Sequence, residues 1–322
     1  MHFFGKRVLV TGGAGFIGSN LVDRLVEMKA SVTVLDDLFT GDLNHIQYRD
    51  QIQFVEGSVT DYKLVEELVG DSELVFHLAA RNMIVSTKTP YLDFEVNARG
   101  TFNVLLACRR RGVKRLVYAS SVSVYGNPRY LPINENDGYN ILNPYAASKM
   151  TGENYCQAFY ETYGVPVTIV RYSNVYGVKQ SPANPYCGVV AKFFHQVMRG
   201  EAPHIHGDGE QTRDFTYVDD VVEATILAAL SPRAEGETFN VSTGIEISVN
   251  ELAREILRVC GRDLEPVYVD RRDIDNIRRR VMNIEKIRKV LRWIPTVTLR
   301  EGLRRTYQWL QTAHQPSGQM EG

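Results

Sequence analysis

Cysteine is scarce. Cys108, Cys156, Cys187 and Cys260 are scattered over 322 positions with neither metal-ligand spacing nor the density of a disulfide framework. That excludes a stapled mini-domain and points to a reducing compartment. An excess of charge is also missing: 37 basic residues face 38 acidic ones, a formal net charge of -1, so the balance gives no argument for nucleic acid or a membrane surface as partner. No apolar run reaches the length of a membrane span, and Met1–Gly5 is too short to be a secretory leader ahead of the first apolar run. Internal repeats and low-complexity core segments are absent. His204 and His206 have no third ligand, so no metal is expected. The expectation is a cytoplasmic chain whose length, above the usual single-domain range, calls for two lobes.

What is present begins with Lys6 to Gly18, KRVLVTGGAGFIG. An apolar run, Val8 to Val10, enters a glycine cluster and then helical spacing, the pattern of a buried first strand turning into a helix. Gly13, Gly15 and Gly18 give one dinucleotide fingerprint; Gly12, Gly15 and Gly18 give an overlapping one. Glycines let the backbone turn, approach a pyrophosphate and pack helix on strand, while the helix N-terminus offers its N–H groups to the anion. The second apolar run, Ser31 to Leu35, ends in Asp36 and Asp37. Acidic side chains there take ribose hydroxyls and repel a 2'-phosphate, so NAD is expected rather than NADP.

The chain then alternates strand and helix. Helix is predicted over 19–28, strand over 52–55, helix over 64–69, strand over 73–78, loop over 82–91, helix over 92–111, strand over 116–119, helix from 145 to 160 stopping at Gly164, and strand over 167–171. This is an α/β pattern, a Rossmann-type doubly wound parallel sheet. Ser58 and Val59 lie past the third strand, where a loop reaches the adenine. Leu78, Ala79 and Ala80 end the fourth, with room for the cofactor backbone. Asn97 is polar among apolar neighbours, either a satisfied core residue or one that holds backbone near the site. From Tyr172 the character changes. A loop is predicted over 174–186, then mixed elements: helices at 189–198, 218–230, 249–259, 284–291 and 299–310, and strands at 204–206, 239–241 and 266–269. A smaller mixed α/β substrate-binding domain is read over 172–213 and 243–311, with 1–171 as the NAD-binding domain and about 214–242 returning to it. The stretch Arg271–Arg280, rich in arginine, is a solvated face or an anion-binding wall, and 312–322 is read as a disordered tail.

Tyr145 and Lys149 are four apart on a predicted helix and so share a face. A phenol near pKa 10 is a poor base at neutral pH, but a nearby ammonium favours the phenolate. Ser121 or Ser123, from the end of the fifth strand, can share a proton with Tyr145 and hold a substrate oxygen. These groups suit deprotonation of an alcohol while hydride leaves its carbon for NAD.

The motifs GGAGFIG at 12–18, HLAA at 77–80, VNARGT at 96–101, SSVSVYG at 120–126, PYAASK at 144–149, RYSNVYG at 171–177 and GDGEQTRDFTYVDDV at 207–221 together resemble the extended short-chain dehydrogenase/reductase superfamily. The branch they resemble acts on nucleotide sugars, and within it the UDP-hexose 4-epimerases. The resemblance spans residues 5 to 310. It implies tightly bound NAD contacted by Gly12, Gly15, Phe16, Ile17, Gly18, Asp36, Asp37, Ser58, Val59, Leu78, Ala79, Ala80, Asn97, Tyr145 and Lys149. Tyr145 is then the base, Lys149 its partner and Ser121 the hydroxyl at the reacting carbon, with Ser123 beside it. Asn174, Arg213 and Arg272 fall where family members contact the nucleotide diphosphate, and a homodimer through helices near 92–111 and 145–163 is implied. Dehydratases of this plan carry an Asp-Glu pair at 122–123 and decarboxylases a Glu at 123; Val122 and Ser123 disfavour both. The implied reaction is inversion at C4 through a transient 4-keto sugar and bound NADH, with UDP the favoured nucleotide. Another redox enzyme on such sugars, or a non-catalytic NAD-binding protein, is the competing reading. Two departures stand out: Ser58 replaces a frequent acid, and the loop 81–90 is one residue short, with Asn82, Met83 and Ile84 in place of small polar residues.

Overall fold

We describe residues 3–182, 184, 186–271 and 276–313 of a computed structural model of the chain. In chain order the first half gives β1 (Arg7–Thr11), α1 (Phe16–Glu27), β2 (Ser31–Asp36), β3 (Ile52–Glu56), α2 (Tyr62–Gly70), β4 (Leu74–His77), α3 (Met83–Lys88), α4 (Pro90–Asp93), a π-helical turn (Phe94–Arg99), α5 (Gly100–Arg111), β5 (Arg115–Ser121), α6 (Pro144–Tyr163) and β6 (Val167–Tyr172). The second half gives β7 (Asn174–Tyr176), α7 (Val189–Met198), β8 (His204–His206), β9 (Thr212–Arg213), β10 (Phe215–Tyr217), α8 (Val218–Leu230), β11 (Thr238–Val241), β12 (Ile247–Ser248), α9 (Val249–Cys260), β13 (Val267–Val269), α10 (Glu285–Leu291) and α11 (Leu299–Ala313).

Seven strands form one parallel sheet in the order β11-β6-β5-β4-β1-β2-β3. Both faces are covered, so β1 needs no polar alternation. Val8 and Val10 feed one apolar core with residues of α1 and α8, while Leu9 feeds the other with residues of α2, α5 and α6. The first of these cores continues without a break into the second half of the chain through Phe194 of α7, Leu252 of α9 and Leu303 of α11. Strand order reverses between β1 and β4, so the crevice for a ligand opens at their carboxyl ends. Helix α6, which carries Tyr145 and Lys149, has firm ends. The Asn143 side chain accepts from the Ala146 N–H at 2.9 Å, Pro144 occupies the first turn, and Gly164 closes the helix at φ +67°.

Four expectations need correction. Residues 83–88 form a helix, because Asn82 caps them by accepting from the Ile84 and Val85 N–H groups. Residues 174–176 form a strand, since β10, some forty residues on, supplies a parallel partner that local sequence does not reveal. The helix predicted over 92–111 starts at Pro90 and carries a π turn containing Asn97. The tail reading starts too early: Thr312 and Ala313 belong to α11, and residues 314–322 lie outside the described residues. No helix among the described residues is long and apolar enough to cross a membrane, and these residues hold no group of three His, Cys, Asp or Glu side chains suited to a metal.

Candidate active site

The glycine turn comes first. Gly12 sits at φ +72°, and a Cβ there would lie 2.6 Å from the Ala79 nitrogen; a Cβ on Gly18 would lie 2.1 Å from the Gly12 oxygen. Only glycine allows the end of β1, the end of β4 and the first turn of α1 to approach this closely. Gly15 is different: a Cβ there would meet only the Gly12 oxygen, at 3.2 Å. It is the N-cap of α1 and lines the crevice with Gly12 and Gly18, so the bare helix end faces the cavity, a cradle for an anion. Gly13 turns into the core against Val34.

The crevice is a cavity of about 310 Å³ running from the end of β2 to α6. Its walls include Phe16, Ile17, Asp36, Asp37, Val59, Leu78, Ala79, Ala80, Tyr145 and Lys149. The Asp36 carboxylate accepts from the Ala14 and Leu38 N–H groups, each at 2.9 Å, and burial pushes its pKa up. A pyrophosphate cradle, a carboxylate at the end of β2 and a slot walled by alanines fit a dinucleotide. Two residues expected to contact the cofactor stand back from this wall. At the Ser58 position the wall is formed by its neighbours Gly57 and Val59. Asn97 lies behind it: its side-chain oxygen accepts from the Arg81 N–H at 2.7 Å and its amide donates to the Arg81 carbonyl at 2.9 Å. It is the residue that holds backbone.

His77 braces the same region from below. Its Nδ1 lies 2.7 Å from the Thr11 hydroxyl and its Nε2 2.9 Å from that of Thr101. Thr101 gives its single proton to the Asn97 carbonyl, so Nε2 carries the imidazole hydrogen and Nδ1 accepts from Thr11. Burial holds the ring neutral, with its pKa lowered to about 3.

At the far end stand Tyr145 and Lys149. The Tyr145 phenol is raised to about 12, because burial outweighs the opposing effect of its hydrogen bond with Ser121. Burial lowers the Lys149 ammonium to about 8, against the pull of Asp93 and Glu153; it donates to the Ala119 carbonyl at 2.8 Å and lies 5.1 Å from the Tyr118 ring centre. The Ser121 and Ser123 hydroxyls are 3.2 Å apart, Ser121 capping the short turn that follows β5. Under them lies a charged network that sequence reasoning passed over. Glu153, one turn beyond Lys149, accepts from the Ser120 hydroxyl and pairs with buried Arg171 at 2.5 Å, and Arg171 also donates to the Tyr125 hydroxyl at 2.6 Å. A Glu four after Lys149 and a charged Arg inside a fully buried strand were the signals. Asp93 was missed as well: it accepts from Ser86, Asn97 and Ser148 and fastens α6 to the π turn.

A second cavity, about 340 Å³, adjoins the first and shares Asn82, Tyr186, Cys187 and Gly188 with it. Asn174 and Arg213 line it, along with Arg271 and Arg278. Arg272 lies outside the described residues. The arginine-rich stretch divides its work: Arg278 pairs with Asp208 and Arg279 with Glu246, while Arg271 and Arg278 also face the cavity. Guanidinium groups there suit a phosphate-bearing ligand.

The profile of the NAD dependent epimerase/dehydratase family matches residues 8–242. UDP-glucose 4-epimerase of Mycolicibacterium smegmatis is 38% identical over 96% of this chain and 100% of its own. UDP-N-acetyl-alpha-D-glucosaminuronate decarboxylase of Bacillus cytotoxicus is 35% identical over 95% and 98%. The crystal structure of UDP-glucose 4-epimerase from Thermotoga maritima with UDP-glucose superposes with a TM-score of 0.92 at 37% identity, covering 96% of this chain and 100% of that one.

Proposed function

The chain belongs to the NAD dependent epimerase/dehydratase family, and we propose that it is a nucleotide-sugar 4-epimerase, inverting C4 of a UDP-hexose or its N-acetyl or uronic acid form. The observation that carries this reading is the end of β5. Ser121 hydrogen-bonds the Tyr145 phenol, and the Ser123 hydroxyl stands 3.2 Å from that of Ser121, with Val122 between them in sequence. Inversion by removal and return of one hydrogen needs a single proton relay, which this set provides. Elimination of water across C5 and C6 needs a further acid and base.

The glycine turn, Asp36, Ala79, Ala80 and Lys149 would hold NAD, which when bound supplies a reversible hydride acceptor beside the sugar. The protein's own part is proton transfer and orientation. Tyr145 takes the C4 hydroxyl proton, and Ser121 holds both the phenol and the sugar oxygen. At a pKa of about 12 the phenol alone is neutral at pH 7, so its ionised form depends on positive charge placed beside it. Lys149, cationic below about pH 8, contributes that charge. Asn174, Arg213 and Arg271 grip the diphosphate while the 4-keto sugar turns about that linkage, and Tyr145 returns the proton on the opposite stereochemical course. Cys187 and Gly188, in the wall shared by the two cavities, leave space for a C2 or C6 substituent. A cytoplasmic homodimer through α5 and α6 completes the reading, supported by the half-exposed rings of Tyr155 and Tyr163 on α6.

The test is incubation of the purified protein with UDP-glucose, UDP-N-acetylglucosamine and UDP-glucuronic acid separately, without added reductant, followed by proton NMR. A mixture of C4 epimers from one of them, lost in Tyr145→Phe, is expected. A pentose with carbon dioxide, or a persistent 4-keto-6-deoxy sugar, would replace this reading with a decarboxylase or a dehydratase.

A further inference from the structure

Arg81 follows the small residues at the end of β4 and has no role in the proton relay. It is buried, 9% exposed, and its guanidinium makes a two-pronged ion pair with Asp37, at 2.5 and 3.3 Å. Asp37 follows the end of β2. In the sheet β4 and β2 are not neighbours, since β1 lies between them. The pair therefore bridges two strand spacings, roughly 10 Å, across the carboxyl end of the strand that feeds the glycine turn.

Both partners line the dinucleotide cavity, together with Asp36 on the β2 side and Leu78 and Ala79 on the β4 side. A bar in that place closes over whatever lies along the crevice. It is also pinned from outside. The Arg81 guanidinium sits 4.1 Å from the Phe39 ring centre, and Phe39 stacks at 12° and 6.3 Å on Tyr186, which comes from the second half of the chain and lines both cavities. Asn97 fixes the Arg81 backbone on both sides. One atom is left over: the buried Arg81 Nε has no acceptor among the described residues. A buried N–H without an acceptor is costly, and this one belongs to a side chain that lines a cavity suited to a ligand rich in phosphate and ribose oxygens, any of which would satisfy it.

We propose that Arg81 is a cofactor-binding residue and the latch of this site: its ion pair with Asp37 closes over bound NAD, its Nε donates to the dinucleotide, and NAD leaves only when the pair opens. The inference rests on NAD as the cofactor of the family and not on which sugar is turned over. Retention of this kind suits a cycle in which the cofactor is restored at every turnover, because exchange would then be wasted.

The experiment times release rather than activity. Holoenzyme is loaded with radiolabelled NAD, chased with excess unlabelled NAD in the absence of sugar, and sampled by rapid desalting. Arg81→Met keeps the apolar stem over Phe39 but removes the pair and the Nε donor, and is expected to release label at least tenfold faster than the parent. Arg81→Lys, which keeps the charge but loses the fork, should also release faster, and decides the matter if the methionine variant does not fold. Release within twofold of the parent from whichever of these variants fold would overturn the latch. Because no sugar is present, that result would leave inversion at C4 untouched, and failure of the C4 assay would leave the latch untouched.

Discussion

Acid should unfold this protein through His77. The ring is 1% exposed, both its nitrogens are committed to hydroxyls, and burial lowers its pKa to about 3 from 6.5. In the unfolded chain the same imidazole titrates at its ordinary value. Between these limits the unfolded state binds the extra proton, so stability rises with pH: the contribution is complete above pH 6.5 and is lost as pH falls toward 3. The full span is about 5 kcal/mol at 1.36 kcal/mol per unit, and the part lost between pH 7.5 and pH 5 is about 2 kcal/mol. Rotation of the Thr11 hydroxyl could satisfy a second ring N–H, so hydrogen bonding does not forbid the imidazolium; its desolvation does. His77→Asn cannot titrate. It should cost about 1–3 kcal/mol at every pH for the contacts it loses, and it removes the slope. Guanidinium unfolding of both proteins at pH 7.5, 6 and 5 gives a difference curve in which the raised carboxyls of Asp36, Asp93, Asp214 and Glu135, common to both, cancel. A decline of about 2 kcal/mol toward pH 5 is expected. A flat difference would refute the argument, as would a folded-state titration of His77 near 6.5.

Two further outcomes follow from the site. Lys149, lowered to about 8 from 10.5, is a buried cation that the fold tolerates at a cost: the unfolded chain binds the additional proton between those values, so the penalty is whole below pH 8 and is relieved as pH rises to 10.5. In NAD-free protein the stability of the parent relative to Lys149→Met should rise by about 3 kcal/mol across that window, read by denaturant unfolding, while the variant turns over no substrate at any pH. Gly18→Ala forces a methyl to within 2.1 Å of the Gly12 oxygen. The turn must open, and calorimetry should find NAD affinity reduced by about two orders of magnitude, some 3 kcal/mol, with far-ultraviolet circular dichroism unchanged.

The parallel sheet was readable because its strands are buried on both faces and so appear as unbroken apolar runs, each stopped by small or polar residues at the carboxyl end. Positions at those ends could be named in advance for the same reason. Gly12, Gly15, Asp36, Ala79 and Ala80 all lie where strand runs give out, and all line the cavity. What escaped depends on pairs of residues far apart in the chain. The strand Asn174–Tyr176 exists because Phe215–Tyr217 lies beside it. Burial keeps His77 neutral, and its tautomer is set by the hydroxyls of Thr11 in β1 and Thr101 in α5, two elements that no local pattern brings to the end of β4.

Arg81 gives the same lesson from the side of function. Its neighbours in sequence suggested only a shortened loop, while its neighbours in space are a carboxylate 44 positions earlier, at 2.5 Å, and a ring from the connector after β2. The spacing of Tyr145 and Lys149 within one helix is a local fact, and local facts are what a single sequence displays. A bar from β4 to β2 depends on strand order. That order, β4-β1-β2, places the Arg81–Asp37 pair across the end of β1, the strand that turns through Gly12, Gly15 and Gly18 into the anion cradle. The chemistry is therefore written in helix and strand periods, whereas closure over the cofactor depends on the winding of the sheet.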